Sequence, residues 1–457
     1  MARVNRIVSL LGVLACLATP LAPAAPAMAG TISVPGDVGT IQQAIDLALD
    51  GDEIVVGPGI YAERIDLGDK SIYLRSSEGA SLTTIDGTGL GGSVVRVAGG
   101  QDAACVVEGF TVRGGSGSGG GGFDIDGSSP VIRGCLIVAN AGAEGGGVRV
   151  RDGGPALVDC TLSANNGADG GAVHARESAT PLLTGCQIVQ NGATDGGGVF
   201  AIGQSDVTLV NCVLRGNVAQ STGGAMYCFG SSNATLANCT VAFNTANTQV
   251  GGLFNFSDSN ALIGNSILWG NGGNQIVDAA LSASRVLFST IESGWSGSGY
   301  ANDDADPLFI STNDLHLQSG SPCVDAGNDV LVPSDTADVD QNGDVVERTP
   351  LDVDRLPRFR ATGVRAGDGG SEGCGVVDKG AFELASGDPI GPLIPGDTTG
   401  DGVVDVEDLV DVIVAWGACK DTCCPEDFDA SGIVDLGDLV VVIMGWSGKG
   451  IPRRPRW

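Results

Sequence analysis

The chain has 457 residues, 74 glycines and a formal net charge of −30 at pH 7. A chain with this large an excess of acidic residues differs from nucleic-acid-binding proteins, which carry a basic surface patch, and this argues against a nucleic acid as partner. The two histidines, His174 and His316, are too few for a histidine-rich copper or zinc site. High acidity with many glycines and few aromatic residues is typical of a secreted, solvent-facing repeat protein that can bind cations.

Residues 1–29 have the pattern of a secretory signal. Two arginines precede an apolar run that ends near Leu21, and the segment closes with the small residues 27–29. The apolar run is short and proline-interrupted, so we do not expect a retained transmembrane span. The sequence therefore predicts a secreted or cell-surface protein whose mature chain begins near Gly30.

Residues 30–103 should form an N-terminal cap and the first coils of a repeat domain. Ile41, Ala44 and Ile45 recur on one helical face of residues 40–49. Because the terminal unit of a repeat stack must cover its apolar core, we expect this short helix to cap it. The run TIQQAIDLALDGDEIVVGPGIYAERI resembles the opening of pectin methylesterases and other bacterial β-helix proteins. The resemblance implies a structural segment without catalytic residues.

An internal repeat of 25 to 27 residues occupies 128–271, and regular coils are expected over 104–300. A cysteine or serine marks each repeat, at Cys135, Cys160, Cys186, Cys212, Cys239 and Ser266. Five residues later stands an asparagine, at Asn140, Asn165, Asn191, Asn217, Asn244 and Asn271. The residue just before each slot is a glycine, aspartate or asparagine, and these types tolerate a left-handed backbone bend.

This pattern predicts one coil of chain per repeat. Alternating side chains point each slot residue and its aliphatic neighbours into a common interior, and stacked coils pair like strands about 4.8 Å apart. Asparagine side chains can then form a ladder that also satisfies the backbone of the bend. We therefore predict an all-β fold, a right-handed single-stranded parallel β-helix with three sheets. A leucine-rich horseshoe shares the period, but its asparagine-and-leucine pattern and helical segment are absent.

The cysteines leave two interpretations open. Export makes disulfides possible, and the ladder cysteines could bridge adjacent coils because the coil spacing falls within the permitted Cα range. They could equally be buried free thiols that act as small apolar fillers. Stronger disulfide candidates are Cys323 with Cys374, and a pair among Cys419, Cys423 and Cys424.

Residues 301–384 lose the clean period and should close the β-helix. The runs DLHLQSGSPCVDAGN and GVVDKGAFEL resemble the end region of secreted β-helix proteins that carry C-terminal anchors. The acidic run 338–344 could hold calcium, but twelve residues counted from Asp338 end at Thr349 and not at a carboxylate. A solvated acidic loop is the alternative interpretation.

Beyond a Pro/Gly linker at 385–395, an acidic twelve-residue motif occurs twice, at 397–408 and 427–438. Each copy has oxygen donors at positions 1, 3, 5, 9 and 12, a backbone carbonyl at position 7 and glycine at position 6, which together match the oxygen shell of calcium. The predicted Ca²⁺ ligands are Asp397, Thr399, Asp401, Val403, Asp405, Asp408, Asp427, Asp429, Ser431, Ile433, Asp435 and Asp438.

An apolar helix is expected after each loop, with no entering helix before it. The duplicated unit over 396–447 resembles the dockerin modules of secreted carbohydrate-active systems, which implies a small α-helical, EF-hand-like calcium module for assembly or attachment. The aspartate at position 12 and the missing recognition pairs depart from the dockerin pattern. A cohesin-like protein and another envelope protein are therefore both candidate partners. The basic tail 448–457 carries no informative motif.

On the outer face of the coils, an alternating strand follows a run of small residues in each repeat. The first outward residues of successive strands are Arg149, His174, Phe200, Tyr227 and Phe254. The second outward residues are Arg151, Arg176, Ile202, Phe229 and Phe256. Just before three of the runs stand carboxylates that should stack about 4.8 Å apart, namely Glu144, Asp169 and Asp195. This face should therefore be basic at one end and aromatic at the other.

Three functional classes remain, because a β-helix hosts all of them. One is a carbohydrate-binding or adhesive surface protein that binds a polysaccharide or cell-surface glycan, with Phe200, Tyr227 and Phe254 as stacking residues. A second is a structural envelope protein assembled through the calcium module. The third is a calcium-dependent polysaccharide lyase or glycoside hydrolase acting on an anionic polysaccharide.

The candidates for catalysis are Arg149, His174 and Arg176, and the stacked acids Glu144, Asp169 and Asp195 could hold a second cation. In this arrangement the face resembles β-helix polysaccharide lyases, although no lyase motif matches residue by residue. The paired aspartates, Gly-His-Gly and Arg-x-Lys of polygalacturonases are absent. Plain surface charges beside a covered aromatic stripe are the alternative interpretation. We favour the binding or scaffold class over the enzyme.

Overall fold

The computed structural model describes residues 29–248, 250–359 and 377–384, and parts of the C-terminal segment. Those parts are 406–414, 416–418, 433–434, 436, 439–440 and 443. The predicted signal segment apart from its last residue, the linker and the basic tail lie outside the described residues. Within the described part, no helix is long and apolar enough to cross a membrane.

Each regular coil contains four short strands. In one coil these are Val131–Arg133, Leu136–Val138, Ala141–Glu144 and Val148–Arg151. Every strand pairs in parallel with the equivalent strand of the next coil. The coils therefore stack into four parallel sheets, which we number 1 to 4 in their order along the coil.

The sheets differ in length along the stack. The strands of sheet 1 are Thr31–Val34, Glu53–Val56, Tyr73–Ser76, Val106–Glu108, Val131–Arg133, Ala156–Val158, Leu182–Thr184, Asp206–Val210, Asn233–Ala237, Ala261–Gly264, Arg285–Leu287 and Ser298–Tyr300. Those of sheet 2 are Gly59–Tyr61, Thr83–Asp86, Thr111–Arg113, Leu136–Val138, Thr161–Ser163, Gln187–Val189, Val213–Arg215, Thr240–Ala242, Ile267–Trp269 and Thr290–Ile291.

The other two sheets lie between sheet 2 and the next strand of sheet 1. Sheet 3 contains Ser116–Gly117, Ala141–Glu144, Asn166–Asp169, Gly192–Ala193, Val218–Ala219 and Thr245–Ala246. Sheet 4 contains Ile65–Asp66, Val95–Val97, Phe123–Asp126, Val148–Arg151, Val173–Arg176, Val199–Ile202, Met226–Phe229, Leu253–Phe256 and Ile276–Ala279. The parallel stack is thus confirmed, but it has four sheets where we predicted three. The additional sheet 3 forms because the small residues after each ladder asparagine extend and pair from coil to coil.

Helical segments are few in the described part. The helix predicted at 40–49 spans Ile41–Leu47 and buries its apolar face, and the Thr40 side chain accepts a hydrogen bond from Gln43 N at its start. It packs beside Thr31–Val34, the first strand of sheet 1. A 3₁₀ turn spans Asp329–Leu331, and a second helix spans Val406–Val414. A two-stranded antiparallel pair joins Gly417–Ala418 to Ile433–Val434.

The bend before each slot is left-handed, as its residue type predicted. The φ angles lie between 49° and 64° at Gly134, Asp159, Gly185, Asn211, Asn238 and Asn265. A bend at this position turns the chain from sheet 1 to sheet 2 and leaves the slot residue pointing inward. The five slot cysteines are accordingly at most 1% exposed.

The asparagine ladder is hydrogen-bonded along the stack. Asn140 Nδ2 donates to Val112 O at 3.0 Å and to Asn165 Oδ1 at 3.1 Å. The same Asn165 oxygen accepts the Asn140 backbone N–H at 3.0 Å. This arrangement repeats up to Asn271. Each rung therefore satisfies a backbone N–H and a carbonyl that burial would otherwise leave unpaired, at about 1–3 kcal/mol per group.

The cysteine ladder consists of buried free thiols, which confirms the filler interpretation over bridges between coils. Each slot Sγ lies 3.3–3.7 Å from a carbonyl oxygen of the preceding coil. Cys323 is also a buried free thiol and lies 3.4 Å from Thr290 Oγ1. Its suggested disulfide partner Cys374 and the other three candidate cysteines lie outside the described residues.

The closing region returns along the side of the stack. Arg358 is fully buried, and its guanidinium pairs with Glu383 at 2.6 Å and donates to Asn211 Oδ1 at 2.9 Å. Asn265 Nδ2 donates to Asn328 O at 2.8 Å. Two asparagines at the bends after sheet 1, Asn211 and Asn265, thus hold the closing region, which lies more than 60 residues further along the chain.

Candidate functional site

The outer face of sheet 4 brings the predicted outward residues into two parallel rows. The residues that alternate with them, such as Val173 and Met226, are fully buried in the core. The register places Arg149 beside His174 and Tyr227 beside Phe254 on adjacent coils. Each outward row therefore presents one side chain per coil, as the alternation predicted.

Five rings form an aromatic stripe on this face, namely Phe200, Tyr227, Phe229, Phe254 and Phe256. The Tyr227 ring lies 5.1 Å from Phe200 and 5.2 Å from Phe254 between centroids, and Phe229 stacks on Phe256 at 5.9 Å. Phe200 is 6% exposed because its neighbours cover it, whereas the other four rings are half-buried. The open part of the stripe therefore spans the last two of its three coils.

The arginines at the other end of the face are paired with acids. Arg149 Nε lies 2.6 Å from Asp124 and its Nη1 lies 3.3 Å from Glu144, while Arg151 pairs with Asp126. Arg176 pairs with Glu144 and with Glu177. This half of the face therefore carries paired charges of both signs, whereas the sequence had predicted a basic end.

Asp124 and Asp126 were not predicted, because the slot of their coil holds the buried Phe110 in place of a cysteine and the coil therefore falls outside the cysteine repeat. A signal was nevertheless present. The strand Phe123–Asp126 follows four glycines and alternates apolar and polar residues, as the later strands of sheet 4 do. Its register sets Asp124 beside Arg149 and Asp126 beside Arg151.

His174 lies at the boundary between the two halves, 5.2 Å from the Phe200 ring. It is 3% exposed, and both ring nitrogens are buried without a hydrogen-bond partner. Burial lowers the pKa of His174 to about 4, with Arg176 and Arg149 adding to the shift and Glu144 opposing it. The imidazole is therefore neutral at pH 7 and its nitrogens do not reach solvent. Of the three catalytic candidates, one is buried and two are held in ion pairs.

The three stacked acids lie in register in sheet 3 and just beyond it. Glu144 pairs with Asp169, and Asp169 pairs with Asp195. Glu144 binds the two arginines, and Asp195 Oδ1 accepts the Thr222 N–H at 3.2 Å. Burial, followed by the neighbouring Asp195 and Glu144, raises the pKa of Asp169. Among the described residues, these three do not form a group whose carboxylate oxygens all lie within 4.8 Å of one another.

Tyr227 connects the aromatic stripe to the acid row. Burial, with Asp195 and Asp169 nearby, raises the pKa of Tyr227 to about 12. The phenol therefore stays protonated and can donate a hydrogen bond across the physiological range. Half-buried rings beside carboxylate acceptors can stack on the apolar face of a sugar while the acids accept its hydroxyl groups.

Most of the predicted calcium module lies outside the described residues. Of the twelve predicted ligands, Asp408 lies in the helix Val406–Val414 and Ile433 in the strand Ile433–Val434. The helix contains Leu409 and Val412 from the apolar series expected after the first loop, and Val412 is buried. The other ten ligands fall on residues that are not described.

Family similarity extends over the coils. A family model described as "Right handed beta helix region" matches residues 70–241 and 171–307, which together span slightly more than half of the chain. None of the curated proteins compared with the chain matches it by sequence.

Several solved structures have a similar fold. Pectate lyase Pel9A is 11% identical with a TM-score of 0.43, over 78% of this chain and 96% of that one. Pectin methylesterase from carrot is 12% identical with a TM-score of 0.33, over 61% and 89%. Pectin methylesterase from Aspergillus niger is 12% identical with a TM-score of 0.27, over 64% and 95%. At these values no activity or substrate transfers to this chain.

Proposed function

The chain belongs to the right-handed β-helix family, and we propose that it is a secreted or cell-surface glycan-binding protein whose binding surface is the outer face of sheet 4. The observation that carries the proposal is the aromatic stripe. Four half-buried rings lie on two consecutive coils, and one of them, Tyr227, lies near Asp169 and Asp195. Rings in this arrangement fit a polysaccharide that lies along the stack.

The same face supports binding better than catalysis. A lyase or hydrolase needs a base or acid that reaches the substrate. Arg149 and Arg176 are held by carboxylates, and the nitrogens of His174 are buried. A calcium-dependent enzyme is therefore the alternative function. We expect the chain to bind polysaccharide without releasing any cleavage product.

A binding screen tests the proposal. The full chain, the Tyr227→Ala/Phe254→Ala variant and a Leu262→Ala control are run by affinity electrophoresis against neutral and anionic polysaccharides. Leu262 is 45% exposed on sheet 1, so the control removes an exposed apolar group from another face. We expect the double variant to lose at least about 30-fold in affinity, since central interface rings contribute about 2 kcal/mol or more. Equal retention of all three proteins would refute the proposal.

Enzyme activity is measured in the same samples. Anionic polysaccharides are incubated with the chain in calcium and in chelator, and new unsaturated or reducing ends are counted. We expect none. Product formation that disappears in Arg149→Gln or Arg176→Gln would establish the alternative.

We assign the attachment role to the C-terminal segment 396–447, with Ca²⁺ bound by its two acidic motifs. The segment holds 12 acidic residues and one lysine, so its carboxylates repel without a cation. The predicted secretory signal at 1–29 fits a protein that meets both glycan and calcium outside the cell. In calorimetry of the full chain, Asp405→Ala and Asp435→Ala should each remove one calcium site, and unchanged stoichiometry in both would contradict the assignment.

A further inference from the structure

The closing region contains an acidic loop, residues 335–347, that lies on the outer face of sheet 1. Arg133 of sheet 1 donates to the carbonyl oxygens of Ala337 and Asp338, both at 3.2 Å, and Arg355 Nη2 donates to Val339 O at 3.2 Å. The two arginines therefore hold the backbone of the loop and do not pair with its acidic side chains. The loop has no basic residue, and its acids are Asp335, Asp338, Asp340, Asp344 and Glu347.

Three of these carboxylates converge. Asp335, Asp340 and Glu347 each place an oxygen within 4.8 Å of the other two. The Asn342 amide donates to Asp340 Oδ2 at 3.0 Å and to Glu347 Oε1 at 2.7 Å. In the described part of the chain, no lysine or arginine forms an ion pair with any of the three. Like charges at this separation repel unless a cation lies between them.

The Asp335 carboxylate lacks a partner on one side. The residue is 1% exposed, and its Oδ2 accepts the Val339 N–H at 2.9 Å. Its Oδ1 is buried and has no hydrogen-bond partner within the described residues. A buried carboxylate oxygen without a donor is costly, so the position calls for a positive ligand.

We propose that Asp335, Asp340 and Glu347 form a calcium site separate from the C-terminal module. All three donors are hard carboxylate oxygens, the ligands that calcium prefers. The run from Asp338 to Gly343 has the D-x-D-x-N-G spacing that opens an EF-type loop, and Gly343 makes the tight turn at a φ of 86°. The usual glutamate at position 12 is replaced by Glu347 at position 10 and by Asp335, which precedes the motif.

Calcium at this position would join the two ends of the loop. Asp335 N already donates to Glu347 O at 2.8 Å, so a shared ion reinforces an existing closure. Because the same loop covers sheet 1 through Arg133 and Arg355, calcium binding also stabilises its docking on the coils. The site would thus couple calcium to the attachment of the closing region.

Calcium titration of the full chain tests this proposal, in a background that carries Asp405→Ala and Asp435→Ala. We expect one bound ion per chain and at least a tenfold loss of affinity in Asp340→Asn. Asp344→Asn is the matched control, because it removes the same charge from an exposed position in the same loop. If the background variant binds no calcium, or if Asp344→Asn weakens binding as much as Asp340→Asn, the proposal is wrong. If the C-terminal motifs bind nothing, the background equals the wild type and the comparison still holds.

Limited proteolysis supplies a second readout that does not depend on affinity. Arg348 directly follows the loop and is exposed, so trypsin cleavage there reports loop opening. We expect calcium to slow this cleavage in the background variant and in Asp344→Asn but not in Asp340→Asn. Equal cleavage rates in calcium and in chelator would overturn the proposed coupling.

Discussion

The two halves of the sheet 4 outer face have the same backbone and opposite surface chemistry. From Asp66 to Arg151 successive coils carry acids and bases in turn, Arg176 lies beside Arg151, and each of these arginines has a carboxylate partner. From Phe200 to Phe256 they are mainly aromatic, and the rings contact one another. His174 lies at the boundary and is buried between them.

This contrast shows how one scaffold separates a closed surface from an open one. Ion pairs satisfy each other on the protein, so an added ligand must first displace a partner. Stacked rings leave their outer faces and edges free, because a ring pair uses only the facing surfaces. The aromatic half is therefore the part of the face that can accept a glycan.

The largest expected effect concerns the boundary residue. His174 has a pKa of about 4 in the folded chain against about 6.5 when unfolded. Between pH 6.5 and pH 4 the unfolded state takes up a proton that the folded state does not, so His174 should lower the free energy of unfolding by about 3 kcal/mol over this interval. His174→Phe should abolish that part of the decline, as urea denaturation at pH 7 and pH 4 would show.

His316→Gln provides a control of opposite sign. Asp314 and Asp354 flank the His316 ring and, against the effect of burial, raise its pKa. Its contribution to stability is therefore present below pH 6.5 and lost as pH rises through the folded pKa. Removing it should destabilise the chain more at low pH. The same acid decline in His174→Phe and wild type would contradict the assigned burial.

The next effect separates stacking from hydrogen bonding at Tyr227. Tyr227→Ala should weaken glycan binding by about 2 kcal/mol, or roughly 30-fold, because it removes a central ring. Tyr227→Phe should weaken it only about fivefold, since one hydrogen bond contributes about 1 kcal/mol. Titration calorimetry with the best polysaccharide measures both. Equal losses in the two variants would mean that the hydroxyl and not the ring carries the binding.

A smaller effect is expected in the acid row. The raised pKa of Asp169 means that its charged form is disfavoured in the folded chain, so its stability contribution is present at low pH and lost as pH rises through the folded pKa. Asp169→Asn should therefore stabilise the chain at pH 7 by about 1 kcal/mol or less, and the gain should vanish below about pH 4. Thermal denaturation at both pH values is the measurement. A destabilised variant at pH 7 would indicate that a cation normally occupies the row.

The smallest effect belongs to the charged half. Arg151 and Asp126 are partly exposed, so Arg151→Gln should change the free energy of unfolding by less than about 1 kcal/mol, and less again at high salt. Glycan affinity should stay within twofold of the wild type. An affinity loss as large as that of Tyr227→Ala would remove the distinction between the two halves.

The sequence predicted those features of the fold that repeat with its period. The slot cysteines, the ladder asparagines and the left-handed bends before each slot follow from residue types that recur at one position. A second left-handed bend precedes each ladder asparagine, and there only Gly216 and Gly270 have a residue type that favours it. At the other four positions, Ala139, Ala164, Gln190 and Phe243 have φ angles of 52° to 57°, imposed by closure of the coil and not by residue preference.

Features that depend on long-range contact could not be predicted. The buried Arg358 reaches Asn211 across 147 residues, and nothing local marks that pairing. His174 is buried beside the Phe200 ring of the next coil, a contact that its own strand does not reveal. Asp335 precedes the calcium-like motif that begins at Asp338. Counting twelve residues forward from Asp338 therefore could not reveal the three carboxylates that the folded loop brings together.

Hydroxyl-radical footprinting of the full chain, with and without bound polysaccharide, tests the central claim most directly. The method reads side-chain oxidation residue by residue, and Tyr300, which is 57% exposed on sheet 1, serves as an internal reference. We predict protection at Tyr227, Phe254 and Phe256 and none at Tyr300. Unchanged oxidation of the three stripe residues, with protection elsewhere on the bound chain, would contradict the assignment of the aromatic half as the glycan-binding surface.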